Sequence, residues 1–385
     1  AAVFAADSAV TTTEWDGERQ RVRYFKGANK IFQISNSAPV GLMIYGGSEL
    51  HGIPWEILVK NYRKQLSYEC LDELTKYAEN FFSYIRDNGD FFSSLRKKEL
   101  SEESIKNAVW HIYTLVYDRH GQGITIENIE DFADELCNNS ASYPNNTHFI
   151  NEDIDKLEAE YLPSVIEQIA QGLKKIFPDA DIGKISAVSN KICKAALKIL
   201  LIEPEKHLPD TGIVFVGFGE KEYFPVMVEY RCYGILFGKL LYKMESPNYI
   251  GVDNPALVKP FAMSEMVDTF LHGIGAPLYN FISQNVSNML DIVSKLYVNS
   301  MSDLHKSQMQ KHFSDILAQE IRNKHRLPLV RVVSSLSISE LAELSETLIK
   351  LESLKERMTK DSESVGGDVD VAVITKNEGF VWVKR

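Results

Sequence analysis

The chain has 385 residues, of which 44% are hydrophobic and 25% are charged, so it is long enough for a large core or two domains. Its net charge of −11 argues against a protein that binds nucleic acid through a basic surface. No apolar run has the length of a membrane span, and the four cysteines show no paired spacing. These features predict a cytoplasmic protein that neither spans a membrane nor holds structural zinc.

The first 66 residues have the patterns of three strands and one helix. In order they predict an apolar strand over 1–11, a charged loop over 12–29, an alternating strand over 30–35, a buried strand over 40–44 and an amphipathic helix over 48–66. Asp7 lies at the end of the first strand and Lys30 at the start of the second. Gly46 and Gly47 follow the third strand, where the backbone must turn or closely approach a neighbour.

Residues 67–204 change to helical periodicity, with polar connectors between the periodic segments. The predicted helices cover 71–86, 102–117, 126–137, 153–177 and 185–202. We interpret this region as a mainly helical insertion into a core formed by 1–66 and 205–385.

Strands return after residue 211 and are followed by further helices. The patterns predict strands over 212–219 and 224–231, a third over 234–244, helices over 260–273, 278–296, 302–322 and 339–358, and a glycine turn with a hairpin over 364–384. The helices between 260 and 330 are a second helical elaboration of the core. The last helix is the clearest, because serines stand at its start, acidic residues in its first turn and basic residues near its end.

The N-terminal and C-terminal patterns together resemble the proteasome β-subunit and HslV branch of the N-terminal-nucleophile (Ntn) hydrolases. The resemblance rests on the run Ala-Ala-Asp7-Ser with the following threonines, on Lys30-Ile-Phe, on the strand that ends at Gly46-Gly47, and on the segment from Ser364 through Gly366-Gly367 to Trp-Val-Lys384. The four matches occur in the family's order along the chain. The resemblance implies an α+β fold, a four-layer αββα sandwich enlarged here by the helical insertion.

The resemblance also implies the roles of particular residues. Lys30, held in place by Asp7, would lower the pKa of the α-amine that accepts the nucleophile's proton. Gly46 and Gly47 would supply the N–H groups of the oxyanion hole. Ser364 and Asp361 would lie near the nucleophile. On local grounds alone, a strand-end aspartate and lysine are usually a solvated ion pair, and two glycines are equally often a plain turn. Where the family has the serine of a Gly-Ser-Gly turn, which supports the nucleophile's amine, this chain has Phe218 and lacks that hydroxyl.

The family's nucleophile is the first residue of the mature chain, about sixteen residues before the aspartate. Asp7 has six residues before it, and Ala1 has neither a hydroxyl nor a thiol. We therefore expect a threonine, serine or cysteine nucleophile upstream of Ala1. The expected activity is that of a threonine-type peptidase or amidase.

Two alternatives stay open. The first is a catalytically inactive Ntn-like scaffold or binding protein, and the second is an amidase that acts on a small molecule. The resemblance implies a peptide or protein substrate, assembly as a homo-oligomer and, as a further option, a regulatory partner protein. Neither a cofactor nor a metal is expected, since the nine histidines show no His-x-x-x-His pairing.

Overall fold

The structure, a computed structural model, describes residues 1–15, 20–139, 149, 153–245, 247–297, 302–359 and 366–385. It is a mixed α/β protein with 59% helix, 17% strand and several antiparallel sheets. The strands are β1 (Ala2–Asp7), β2 (Ala9–Trp15), β3 (Gln20–Lys26), β4 (Ile31–Gln33), β5 (Val40–Tyr45), β6 (Glu49–Leu50), β7 (Ile53–Pro54), β8 (Thr211–Gly217), β9 (Val226–Leu236), β10 (Lys239–Met244), β11 (Asn248–Tyr249), β12 (Val369–Thr375) and β13 (Gly379–Lys384).

The helices account for most of the remaining described chain. They are α1 (Trp55–Leu66), α2 (Leu74–Asp87), α3 (Ser94–His120), α4 (Ile126–Asn139), α5 (Ile154–Ile176), α6 (Ile182–Ile202), α7 (Pro204–His207), α8 (Glu265–His272), α9 (Ala276–Tyr297), α10 (Asp303–Ile321), α11 (Leu327–Ser335) and α12 (Ile338–Thr359), with a 3₁₀ turn at Gly121–Gly123 and a π-helical turn at Arg322–Arg326. Among the described helices, none combines the length and the apolar character needed to cross a bilayer.

Two antiparallel sheets face each other through an apolar layer. The larger sheet has the order β10-β9-β8-β5-β4, with β11 on β9, and the smaller has the order β1-β12-β13. Side chains alternate between the two faces of each strand. Met43 and Val214 of the larger sheet therefore meet Phe4 and Ile374 of the smaller one in a shared core.

Helices cover the outer faces of these two sheets. On the larger sheet, α1 and α2 pack on the opposite strand faces, where Trp55 and Phe81 join Phe215 in one buried cluster. On the smaller sheet, α12 places Ala342 against Val371. A capping box begins α12, as the serine and acidic pattern predicts: the Ser337 backbone N–H donates to Glu340, and the Glu340 N–H donates to the Ser337 hydroxyl at 3.3 Å.

Helices α3 to α6 form a second buried cluster of their own. It joins the larger sheet at the turn between β9 and β10, where Leu236, Phe237 and Leu241 belong to the helical cluster. The Ser101 hydroxyl of α3 accepts a hydrogen bond from the Phe237 N–H at 2.8 Å. The division of the chain at residues 66 and 204 stays a prediction, but α2 packs with α1 on the sheet and α3 to α6 pack mainly with one another.

Four predicted elements differ from the structure. The strand predicted over 1–11 is divided at Ser8 into β1 and β2, which belong to different sheets. The 12–29 segment contains the hairpin β2–β3 and is not a loop, because threonines and alternating Val and aromatic residues favour strands despite the charges between them. The helix predicted over 48–66 begins at Trp55, after the short pair β6–β7. The strand predicted over 234–244 is two strands, since Phe237 and Gly238 both have positive φ and turn the chain.

Candidate functional site

Asp7 and Lys30, which are 23 residues apart, lie side by side. Asp7 is the last residue of β1 in one sheet, and Lys30 directly precedes β4 in the other. The Lys30 Nζ donates to Asp7 Oδ1 at 2.7 Å, and the two side chains are 21% and 12% exposed. A pair withdrawn this far from water is less screened than a surface ion pair.

The second carboxylate oxygen of Asp7 is held by the backbone. Oδ2 accepts hydrogen bonds from the N–H of Ala9 at 3.2 Å and from the N–H of Gly366 at 3.1 Å. The glycine turn before β12 therefore lies against the carboxylate, and both oxygens have donors. This arrangement fixes the Asp7 carboxylate and, through it, the position of the Lys30 ammonium.

The Lys30 ammonium retains donor capacity. It has three N–H bonds, and within the described part of the chain Asp7 is its one hydrogen-bond partner. The remaining two N–H bonds can reach a further group. A positioned, mostly buried ammonium can depress the pKa of a neighbouring amine and stabilise a developing oxyanion.

A cavity of about 150 Å³ adjoins Asp7 on the side of α12. Its lining residues are Asp7, Ile349, Lys350, Ser353, Arg357, Gly366, Gly367, Asp368, Val369 and Lys384. The cavity therefore lies between the last helix and the glycine turn, and three cationic side chains line it. Asp361 and Ser364, the other predicted site residues, lie outside the described residues.

Gly46 and Gly47 lie at the same end of β5 as Lys30. The Ile44 N–H donates to the Lys30 carbonyl at 2.9 Å, so Gly46 is two residues beyond the partner of Lys30. Gly46 has a φ of +80°, and a Cβ there would lie 3.3 Å from the Asp210 carbonyl. A Cβ on Gly47 would overlap the Thr211 side chain at the start of β8, and neither glycine lines the cavity beside Asp7.

The Gly217-Phe218-Gly219 turn lies at the opposite end of the larger sheet. Gly217 pairs with Val40, at the start of β5, whereas Lys30 lies beside Ile44 near its end. Four residues of strand separate the two positions by about 14 Å. Phe218 is buried in the layer between the sheets. The structure therefore does not place this turn where a serine could support the Asp7–Lys30 pair.

The sequence patterns did not predict a buried polar network near Gly46. Glu229 of β9, with an 8% exposed side chain, accepts hydrogen bonds from the Tyr45 hydroxyl and, at 2.6 Å, from Lys259 Nζ. Arg231 lies over the Tyr45 ring and bonds Asp210 at 2.6 Å. Burial disfavours the Glu229 carboxylate, yet the hydrogen bonds from Lys259 and Tyr45 hold its pKa below the usual value.

We expect the Glu229→Gln variant to be less stable than the wild type at pH 7 by about 2 kcal/mol, because Lys259 loses a charged partner. The folded-state pKa of Glu229 is lowered, so its stabilisation is complete above the unfolded pKa of about 4.5 and is lost as pH falls through the folded value. The difference between the proteins should therefore shrink below that pH. Urea unfolding of both proteins at pH values above and below 4.5 measures this difference in the free energy of unfolding. A difference that does not vary with pH contradicts a lowered pKa of Glu229 in the folded protein.

Comparison with known proteins adds no assignment. No protein-family model, curated protein or solved structure matches this chain significantly. Within the described residues, no group of three or more His, Cys, Asp or Glu side chains is arranged to hold a metal ion.

Proposed function

We propose that this chain is a proteasome-like Ntn hydrolase that cleaves peptide or amide bonds with a nucleophile located upstream of Ala1. The observation that carries the proposal is the mostly buried contact between Asp7 and Lys30, 2.7 Å apart. These are the two residues that the family resemblance selects as the pair that tunes the nucleophile. The N–H of Gly366, from the glycine turn that the same resemblance selects, completes the carboxylate's hydrogen bonds.

The layered packing supports the same proposal. Helix α12, the smaller sheet, the larger sheet and the pair α1 and α2 follow one another through three buried clusters. We propose that these are the four layers of an αββα sandwich. In this reading α3 to α6 and α8 to α11 are helical additions to the sandwich, and the inferred function does not depend on them.

The chemistry would proceed through an acyl-enzyme. The α-amine of the first residue, with an ordinary pKa near 8, would take the proton of the nucleophile's hydroxyl or thiol as that atom attacks the carbonyl carbon. The proton would pass to the leaving amine as the amide bond breaks, and water activated by the same amine would release the product. Lys30 would keep the amine unprotonated, Asp7 would position Lys30, and Gly46 or Gly47 would donate to the oxyanion.

The first test is to express the complete coding sequence and to measure the mass of the mature protein before and after treatment with a peptide vinyl sulfone. We expect a chain that begins about ten residues before Ala1 with threonine, serine or cysteine and gains one equivalent of the trap at that residue. A native chain that begins without such a residue, or one whose first residue never reacts, contradicts the enzyme and favours the scaffold.

Two variants connect the labelling to the site. Lys30→Met removes the ammonium while retaining most of the side-chain volume, and we expect trapping to slow at least about 100-fold, the lower range for a catalytic acid–base group. Lys76→Met is the matched control, because Lys76 pairs with Glu79 at an exposed site on α2. Equal trapping rates in both variants would mean that Lys30 has no role in activating the nucleophile. Circular dichroism verifies that each variant is folded.

A further inference from the structure

Helices α9 and α10 form an antiparallel hairpin with little burial. Lys306, near the start of α10, donates to Asp291, near the end of α9, at 2.8 Å. Not one described side chain of α10 is buried, and Ser294 is the one buried residue among the described side chains of α9. The base of the hairpin adjoins α8, where Gly273 leaves room for the His325 ring. Two helices this poorly covered gain little stability from tertiary packing.

One face of α9 presents a line of apolar side chains to solvent. Leu278, Phe281, Met289, Ile292 and Leu296 are each more than half exposed. With Asn285 they repeat at an interval of eleven residues, since 278, 281 and 285 recur as 289, 292 and 296. An 11-residue repeat, at about 3.67 residues per turn, keeps a line of contact on one side of a nearly straight helix. We call these six residues the α9 seam.

The charge of α9 favours a second copy of this chain as the occupant. The helix has 22 residues and two charged ones, Asp291 and Lys295, of opposite sign. The chain as a whole has a net charge of −11, so two copies repel each other on average, whereas α9 contributes no net charge to that repulsion. A neutral apolar face is suited to self-pairing, whereas a basic partner would find few carboxylates on it.

Asn285 supports the same occupant. Its Nδ2 donates to the Phe281 carbonyl of its own helix at 2.9 Å, and among the described residues none donates to its amide oxygen. Within a line of apolar contacts, an asparagine is the residue that sets register when it meets its counterpart in a second helix. In a two-fold dimer the same seam faces itself, and the two asparagines meet when the two-fold axis passes beside residue 285.

We propose that the α9 seam is a homodimer interface, at which the hairpins of two chains pack as a four-helix bundle. A helix of 22 residues is about 33 Å long, enough for several turns of side-chain interdigitation. This inference is independent of the proposed hydrolase activity. It assigns the predicted self-association to one surface, which lies outside the two-sheet core.

Sedimentation velocity of the 385-residue chain over a concentration series tests the proposal. We expect the wild type to sediment as a dimer with twice the monomer mass of 43.6 kDa. Ile292→Glu places a carboxylate in the seam of each copy, and we expect at least a tenfold higher dissociation constant. The matched control is Leu95→Glu, because Leu95 is 69% exposed on α3, outside the hairpin. We expect this control to remain dimeric.

Circular dichroism verifies that Ile292→Glu retains its helices, and Phe281→Glu is the second variant should it unfold. A monomeric wild type, or a dimer that neither glutamate weakens, overturns the proposal. The wild type is also mixed with vesicles of phosphatidylcholine and phosphatidylglycerol. A monomer that binds these vesicles through the seam would assign it to a lipid surface and equally overturn the dimer.

Discussion

Replacing Asp7 with alanine is expected to lower the free energy of unfolding by roughly 3 kcal/mol. The substitution removes the partner of the Lys30 ammonium, which is 21% exposed, and leaves that charge mostly withdrawn from water. It also removes the acceptor of the Ala9 and Gly366 N–H groups. Urea unfolding at pH 7, followed by tryptophan fluorescence, measures the loss.

Two controls separate the charge from the backbone contacts. Asp7→Asn retains an oxygen acceptor and loses the charge, so we expect a smaller loss than for alanine. Glu79→Ala removes the carboxylate from an ion pair whose side chains are 55% and 58% exposed, and we expect a change below about 1 kcal/mol. If Asp7→Ala and Glu79→Ala destabilise the protein equally, the Asp7–Lys30 pair is an ordinary surface ion pair.

The contact between Asp7 and Lys30 could be expected from the sequence because each residue is fixed by a short strand pattern. An apolar run that ends on Asp7 and an alternating run that follows Lys30 both define strand ends, and the family resemblance placed those ends together. The buried run over 40–44 predicted a strand but not its two faces: in the structure Leu42 points to α1 and α2, while Met43 points to the second sheet.

The network around Glu229 could not be predicted in the same way. Tyr45 and Glu229 are 184 residues apart, and their contact depends on the pairing of β5 with β8 and of β8 with β9. Lys259 reaches the carboxylate from a segment without regular structure, for which periodicity has no signal. Strand patterns identify strand faces but not the order of strands in a sheet, and buried polar contacts between distant strands depend on that order.

Helical periodicity has a related limit. It predicted both α6 and α9 close to their observed bounds. It did not predict that α6 is buried among α3, α4 and α5 while much of the apolar surface of α9 faces solvent. The pattern shows which side of a helix is apolar, and what covers that side depends on tertiary or quaternary contacts. For this reason the α9 seam became visible in the folded structure alone.

The second large effect is expected at Gly217, where replacement with alanine should cost about 4 kcal/mol. Gly217 has a φ of +147°, which a side chain rarely adopts, and a Cβ there would lie 2.8 Å from the Val40 Cα and still closer to the Pro39 carbonyl. Both obstacles are backbone atoms, so a rotamer change cannot relieve the overlap. The Phe218 N–H donates to the same Pro39 carbonyl at 3.0 Å, and a shift of β5 or β8 that relieved the overlap would strain this hydrogen bond.

Gly238→Ala is the matched control, because Gly238 has a φ of +75° and no atom within 4 Å of the added Cβ. It introduces the backbone strain without the overlap, so we expect a loss of about 1 kcal/mol. The difference between the unfolding free energies of the two variants therefore gives the cost of the overlap between β8 and β5, separately from the cost of a positive φ. Equal losses would mean that the strand ends separate easily at Pro39. Gly217 pairs with Val40 at the start of β5, whereas Lys30 lies beside Ile44 near its end, so the Gly217 variant should retain the Asp7–Lys30 contact unless the larger sheet unfolds.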